Sequence, residues 1–149
     1  MWYGIIPLTV RIVLDTSVLV AALRSRTGAG NAILRMVAER QVLLLATTPL
    51  FLEYEEVLMR AEHRLAHQLS LDELSNFLKD LAALIEPVEL HFRWRPQVHD
   101  SNDEMVLEAA INGDADALVT YSTKDFSAAA ERFGLPILTP AEFLKRTKL

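Results

Sequence analysis

Short, uninterrupted apolar runs recur along the chain and predict the buried strands of a sheet. Four of them, at residues 12–14, 42–45, 117–120 and 136–138, are bounded by polar or turn-forming residues. Residues 88–94 follow a proline and alternate between apolar and polar side chains, which predicts a fifth strand.

Amphipathic segments fill the intervals between these strands. Apolar residues at helical spacing predict helices at residues 18–23, 31–40, 48–64, 71–84, 105–111, 125–133 and 140–145. The fourth of these helices begins with a capping box, because Ser70 is followed three residues later by Glu73. Strands that alternate with helices predict an α/β fold, here a three-layer α/β/α sandwich around a mainly parallel central sheet.

Length and composition indicate one globular domain. The 149 residues fit a single domain spanning residues 1–149, with 51% hydrophobic and 23% charged residues. No apolar run approaches the roughly 20 residues that a membrane-spanning helix requires, so we expect a soluble protein without a membrane partner. Residues 1–10 are apolar but lack a basic leader and a cleavage site, which favours a short extension over a signal peptide.

The absence of cysteine and the excess of acidic over basic residues limit the kinds of site and ligand that the chain can have. Without cysteine, disulfides, zinc-thiolate sites and thiol nucleophiles are excluded, and a reducing, cytoplasmic location is expected. The net charge of -5 argues against tight, unspecific binding to nucleic-acid phosphates. A metal-dependent nuclease stays compatible with this charge, because its cation offsets the repulsion between acids and phosphate.

Asp15 carries the strongest chemical signal in the chain. It directly follows the first apolar run, at the point where a buried strand ends. Ligands of open parallel sheets bind outside the carboxyl ends of the strands. An ionised carboxylate at such a place must be paired, hydrogen-bonded or bound to a cation, which makes Asp15 a candidate for metal or phosphate chemistry.

Further acids lie at helix starts or strand ends, namely Glu53, Asp100, Asp103 and Asp125. Each has an ordinary explanation, because acids are favoured at helix N-termini and Glu53 has other acids beside it on a solvated helix. Right-handed crossovers, however, bring the carboxyl ends of parallel strands to one side of the sheet. Carboxylates gathered there need a positive ion between them, and Mg²⁺ or Mn²⁺ accepts such oxygen ligands while keeping several waters.

These acids belong to segments with a characteristic order: 14–20 (LDTSVLV), 48–53 (TPLFLE) with 56–58 (EVL), 100–103 (DSND), 115–120 (ADALVT) with 124–126 (KDF), and 137–144 (ILTPAEFL). Together they resemble the PIN-domain ribonucleases, particularly the VapC-like toxins of toxin–antitoxin modules, over nearly the whole chain. The resemblance implies a compact α/β/α fold and Mg²⁺- or Mn²⁺-dependent endonucleolytic cleavage of RNA. Asp15, Glu53 and Asp103 match the family's three acidic metal-site positions, with Asp100 as a supporting acid.

One position departs from the family pattern. Two residues after Thr120, where the family usually has Asp or Asn, this chain has Ser122, which can bind a metal-bound water but carries no charge. We expect Asp125 to take over part of that role, with capping of the next helix as the alternative. Ser17 is expected to hold Asp15 in place, and Thr120 and Ser122 complete the supporting residues.

Basic residues supply candidates for contact with a nucleic acid. If the helix of Glu53 continued, four of them would form one stripe that could follow an RNA backbone, but a solvated helix face is favoured over that role. These four are Arg60, His63, Arg64 and His67. Arg24 and Arg26, in the loop after the Asp15 helix, are the other candidates. Residues 91–95 alternate bases with aromatics, but a half-buried strand is favoured there over a stacking platform for single strands.

The resulting hypothesis is a metal-dependent endoribonuclease in which a metal-activated water attacks the phosphodiester. If the protein is a toxin, the resemblance also implies a small antitoxin protein as partner, and homodimers are frequent in the family. One alternative is a catalytically weak or inactive PIN-like module that binds RNA or protein. Another is a receiver-like domain with Asp15 as phosphoacceptor and Lys124 as its lysine. A dinucleotide site is disfavoured, because no glycine-rich turn follows the first strand.

Overall fold

The computed structural model describes residues 9–91 and 101–147. Within these ranges, five strands form one parallel sheet in the order β3-β2-β1-β4-β5. The strands are β1 Val10–Leu14, β2 Val42–Ala46, β3 Glu86–Pro87, β4 Ala117–Val119 and β5 Ile137–Leu138. The helices are α1 Thr16–Arg24, α2 Ala29–Ala38, α3 Thr48–Met59, α4 Ala61–His67, α5 Leu71–Leu84, α6 Ser101–Asn112, α7 Ser127–Phe133 and α8 Pro140–Thr147. The predicted α/β/α sandwich with a parallel sheet is confirmed.

The central strands of the sheet are mostly buried. β1 lies between β2 and β4, and helix α6 packs against these three strands. All three strands end at the same edge of the sheet, because they are parallel and in register. Asp15, Thr47 and Thr120 follow directly at that edge, so the fold brings polar groups from distant parts of the sequence together.

Local hydrogen bonds explain where helices begin. Thr47 accepts a bond from the Leu50 N–H at 3.2 Å, which caps α3. The predicted capping box of α5 is present: Ser70 Oγ accepts from the Glu73 N–H at 3.1 Å, and Glu73 accepts from the Ser70 N–H at 2.9 Å. These bonds, chiefly the one from the Ser70 backbone, lower the pKa of Glu73.

The strand predicted at residues 88–94 is wrong for the part that the structure describes. β3 is only two residues long, and residues 88–91 leave the sheet. The reason lies in the backbone partners, since the Val88 N–H still bonds to Ala46 O at 3.0 Å, whereas the His91 N–H bonds to Asn112 Oδ1 at the end of α6. Residues 92–95, including most of the predicted aromatic and basic alternation, lie outside the described residues.

The single helix predicted at residues 48–64 is also wrong. Arg60 adopts an extended conformation with φ -62° and ψ 140°, which separates α3 from α4. The helix predicted at residues 125–133 also differs from the structure. It is a 3₁₀ turn at Thr123–Phe126 followed by α7. Within the described ranges, none of the helices combines the length and apolar character needed to cross a bilayer.

Candidate functional site

A cleft of about 440 Å³ lies at the carboxyl edge of the sheet. Asp15, Glu53 and Asp103 all line it, although they come from three separate elements of the chain. The other lining residues are Thr16, Ser17, Val20, Ala21, Arg24, Val57, His63 and Asn102. The fold thus gathers in one place the three acids that the sequence singled out.

Asp15 is buried, with 9% of its surface exposed, and its carboxylate is held by two hydroxyl groups. Ser17 Oγ donates to Asp15 Oδ2 at 3.0 Å, and Thr120 Oγ1 donates to the same oxygen at 2.7 Å. Although Asp15 stands at the N-cap of α1, its side chain makes no capping bond there. The carboxylate therefore has a role other than capping the helix, and both hydroxyl groups bind the same oxygen, Oδ2.

Thr120 and Ser122 form the outer part of this hydrogen-bonded chain. The Ser122 backbone N–H donates to Thr120 Oγ1 at 2.9 Å, so the Thr120 hydroxyl accepts from one neighbour and donates to Asp15. Thr120 is fully buried, whereas the Ser122 side chain is exposed. Ser122 thus contributes through its main chain, and its hydroxyl lies outside the lining of the cleft.

Glu53 reaches the cleft from α3 and is 7% exposed. The next residue, Tyr54, is fully buried and donates its hydroxyl hydrogen to the Leu14 carbonyl at the end of β1. Burial, and secondarily the negative charge of Asp15, raises the pKa of the Tyr54 hydroxyl, so it stays a donor. This bond ties α3, the helix that carries Glu53, to the end of β1.

Asp103 lies in the first turn of α6, where the positive end of the helix dipole favours a carboxylate. It is partly exposed at the cleft, with Asn102 beside it. Asp100, the predicted supporting acid, lies outside the described residues. Its predicted role, like the metal-binding role of the other acids, stays a prediction.

Asp125 lies on the 3₁₀ turn, where its side chain is exposed and is not part of the cleft lining. Its backbone N–H bonds to Ser122 O at 3.0 Å, but its side chain caps neither the turn nor α7. The structure therefore places Asp125 outside the lining of the cleft, and its supporting role stays a prediction. Lys124, the candidate lysine of a receiver-like domain, is exposed on the same turn and likewise lies outside the lining of the cleft.

The four basic residues do not form one exposed stripe on the Glu53 helix, because that helix ends before Arg60 and His67 is buried. The Nδ1 of His67 accepts from the Leu69 N–H at 3.0 Å, and its Nε2 lies 3.4 Å from the Leu58 carbonyl. His63 alone of this set lines the cleft, where its Nδ1 lies 2.9 Å from Arg24 Nη2. Arg24 and His63 place positive and polar groups opposite the acids.

The donor chemistry of the cleft fits a hard divalent cation. All three acids offer carboxylate oxygens, the ligands that Mg²⁺ and Mn²⁺ accept. Within residues 9–91 and 101–147, no three acidic or histidine side chains lie close enough together to form a complete metal-binding cluster. Mg²⁺ does not need one, because it is typically held by one or two carboxylates and keeps several waters for substrate oxygens to replace.

Sequence reasoning missed Tyr54 as a positioning residue. Its partner, the Leu14 carbonyl, is 40 positions away in the sequence, and no local sequence motif predicts the contact. The available signal was its place directly after Glu53 in a helix that faces the sheet. Arg24 was among the predicted contacts, but its pairing with His63 was not, since that pairing depends on the break at Arg60.

Comparison with solved structures places this architecture among known folds. The crystal structure of VapBC2 from Rickettsia felis bound to a DNA fragment from their promoter contains a chain with a TM-score of 0.54 and 17% sequence identity. The alignment covers 86% of this chain and 96% of that one, so the likeness concerns the whole fold.

Sequence comparisons give the family. No curated protein matches the chain. The profile of the PIN domain family, in contrast, matches residues 11–124, a stretch that contains Asp15, Glu53, Asp103 and the hydrogen-bonded Thr120. The chain therefore belongs to the PIN domain family.

Proposed function

We propose that this PIN domain is a metal-dependent endoribonuclease that hydrolyses RNA phosphodiester bonds. The observation that carries the proposal is the convergence of Asp15, Glu53 and Asp103 on one cleft. Its support is the state of Asp15, a buried carboxylate that caps no helix and is oriented by two hydroxyl donors. Positioned, buried acids in a cleft are typical of active sites, and membership of the family favours a nuclease.

The residues of the site would have two roles: some would hold the metal ion, and others orient the residues that hold it. Asp15, Glu53 and Asp103 would hold Mg²⁺ or Mn²⁺, and Asp100 would support them. A divalent ion bound there supplies a nucleophilic hydroxide at neutral pH and offsets charge on the phosphate. Ser17 and Thr120 keep Asp15 in one orientation, and such outer hydrogen bonds typically raise metal affinity or activity about 10–100-fold.

We further propose that the protein is the toxin of a toxin–antitoxin pair. The structural neighbour is a chain in the structure of VapBC2 bound to a DNA fragment from their promoter, which supports a protein partner of the antitoxin kind. A homodimer is proposed from the family resemblance. Exposed apolar side chains offer a surface for either contact: Leu52 and Met59 on α3, and Leu65 on α4, which is 81% exposed. The RNA substrate follows from the family resemblance of the site.

The test is cleavage of a defined set of RNAs by the purified protein with Mg²⁺, Mn²⁺ or EDTA. Asp15→Asn and Asp103→Asn are compared with wild type, and Asp80→Asn is the matched control because Asp80 is exposed on α5, away from the cleft. We expect metal-dependent cleavage by wild type and Asp80→Asn, and its loss in the two cleft variants. Cleavage that persists in EDTA, or in Asp15→Asn, would contradict the proposal.

The second candidate is a catalytically weak or inactive module that binds RNA or protein. Ser122 favours it, because this position offers no carboxylate and its exposed side chain does not line the cleft. A folded wild type that binds RNA with either metal but never cleaves it, after removal of any co-purified antitoxin, would select this candidate.

A further inference from the structure

Arg24 and His63 form a pair whose role the carboxylates do not explain. Arg24 ends α1 and His63 lies in α4, and Arg24 Nη2 is 2.9 Å from His63 Nδ1. A guanidinium can only donate hydrogen bonds, so Nδ1 is the acceptor. The other ring nitrogen, Nε2, lies 3.8 Å from Glu62 Oε1.

The pair keeps a positive charge available at the mouth of an acidic cleft. Both residues line the cleft that contains Asp15, Glu53 and Asp103. Arg24 is exposed, whereas the side chain of His63 is only 17% exposed and provides a fixed anchor. Because an imidazole acceptor carries no negative charge, the bond orients the guanidinium without cancelling its charge.

The guanidinium of Arg24 is held in one orientation, keeps its positive charge and lines the same cleft as the carboxylates. Such a group is suited to bind a phosphate. Arginine binds phosphate oxygens through a planar set of donors, more than one of which can reach the same group. A free arginine side chain loses rotamer freedom when it is fixed, and prior fixation reduces that cost at the moment of binding. His63 provides this fixation.

We infer that Arg24, positioned by His63, binds a backbone phosphate of the RNA strand that occupies the cleft. The inference rests on the proposed nuclease function and adds a substrate contact to it. Arg24 is the residue that touches the substrate, and His63 acts through Arg24. Arg26, the neighbouring candidate from the sequence, is exposed but does not line the cleft, so it makes no such contact.

Salt-dependent RNA binding tests the inference. Each variant is made in the Asp15→Asn protein so that the RNA survives, and binding of a labelled single-stranded RNA is followed by fluorescence anisotropy over a range of NaCl concentrations. For Arg24→Gln we expect affinity to fall roughly tenfold and the slope of log affinity against log salt to decrease by about 0.7, the value for one phosphate contact on a single strand. Arg26→Gln is the matched control and should change neither quantity.

Two variants of His63 test whether this residue positions Arg24 or only links α1 to α4. His63→Leu removes the acceptor and should reduce affinity and slope in the same direction as Arg24→Gln. His63→Asn places an amide oxygen near the position of Nδ1 and should restore both. A pair that merely links α1 to α4 would lower the melting temperature in Arg24→Gln without changing the salt slope.

The outcomes distinguish this inference from the function on which it rests. Cleavage by wild type together with an unchanged salt slope in Arg24→Gln would overturn the inference and leave the nuclease intact. Equal slopes for Arg24→Gln and Arg26→Gln, or failure of His63→Asn to restore binding, would also overturn it. A wild type that neither binds nor cleaves RNA would overturn both.

Discussion

Replacing Tyr54 by phenylalanine tests how the site is built. The substitution removes one hydroxyl group and keeps the ring, which is fully buried. That hydroxyl donates to the Leu14 carbonyl, the last carbonyl of β1 before Asp15. Since Leu14 is itself fully buried, water cannot replace the lost donor without opening the structure.

The expected loss follows from that burial. Leaving a buried carbonyl without its donor costs about 1–3 kcal/mol, more than the net value of an average hydrogen bond. For a chain of this size, the corresponding fall in melting temperature is roughly 2–12 °C. Because the bond also fixes α3 against β1, we expect RNA cleavage to fall by more than the folded fraction does, in the range of about 10–100-fold.

The assay compares Tyr54→Phe with Tyr121→Phe in urea unfolding, with metal-dependent cleavage measured on the folded proteins. Tyr121 is 50% exposed, so it loses the same atom without a buried partner and should change stability by less than about 0.5 kcal/mol. Equal stability of the two variants would refute the claim that the Tyr54 bond holds α3 in place. Lower stability with unchanged cleavage would show that the bond supports the fold but does not set the position of Glu53.

Three further predictions follow from single contacts. Thr120→Val removes the donor to Asp15 Oδ2 and should lower cleavage about 10–100-fold with the protein still folded, as measured by single-turnover kinetics. Gly113→Ala places a Cβ 2.9 Å from Ala109 O and should destabilise by about 1–3 kcal/mol in denaturant unfolding. Burial raises the pKa of Tyr54 in the folded state. Its contribution to the free energy of unfolding is therefore complete at pH values below 10.0, the pKa of tyrosine in the unfolded chain, and is lost as the pH rises further. Tyr54→Phe should therefore flatten the fall in melting temperature above that pH.

Much of the fold was predictable because its strands are buried on both faces. The runs at residues 12–14 and 42–45 read as continuous apolar segments, and their counterparts β1 and β2 lie at the centre of the sheet. Parallel order then places Asp15 at the edge where ligands bind. The acids that line the cleft were visible for the same reason, since each stands where an element begins or ends or in the first turns of a helix.

The remaining features depend on contacts between distant residues. No proline or glycine marks the break at Arg60, where burial of His67 against the Leu58 carbonyl directs the path of the chain. The helical pattern alone therefore predicted one long helix over residues 48–64. Asp125 looked like the other acids in sequence, but the 3₁₀ turn that exposes it has no clear sequence signal.

The proposed nuclease requires that the cleft lined by Asp15, Glu53 and Asp103 binds one divalent ion. Titration of the protein with Mn²⁺ tests this requirement, with electron paramagnetic resonance reporting the free ion for wild type, Asp15→Asn and Asp80→Asn. We expect one site in wild type and in Asp80→Asn, and affinity weakened by roughly tenfold or more in Asp15→Asn. Equal Mn²⁺ affinity in all three proteins would show that the cleft does not bind the ion through Asp15.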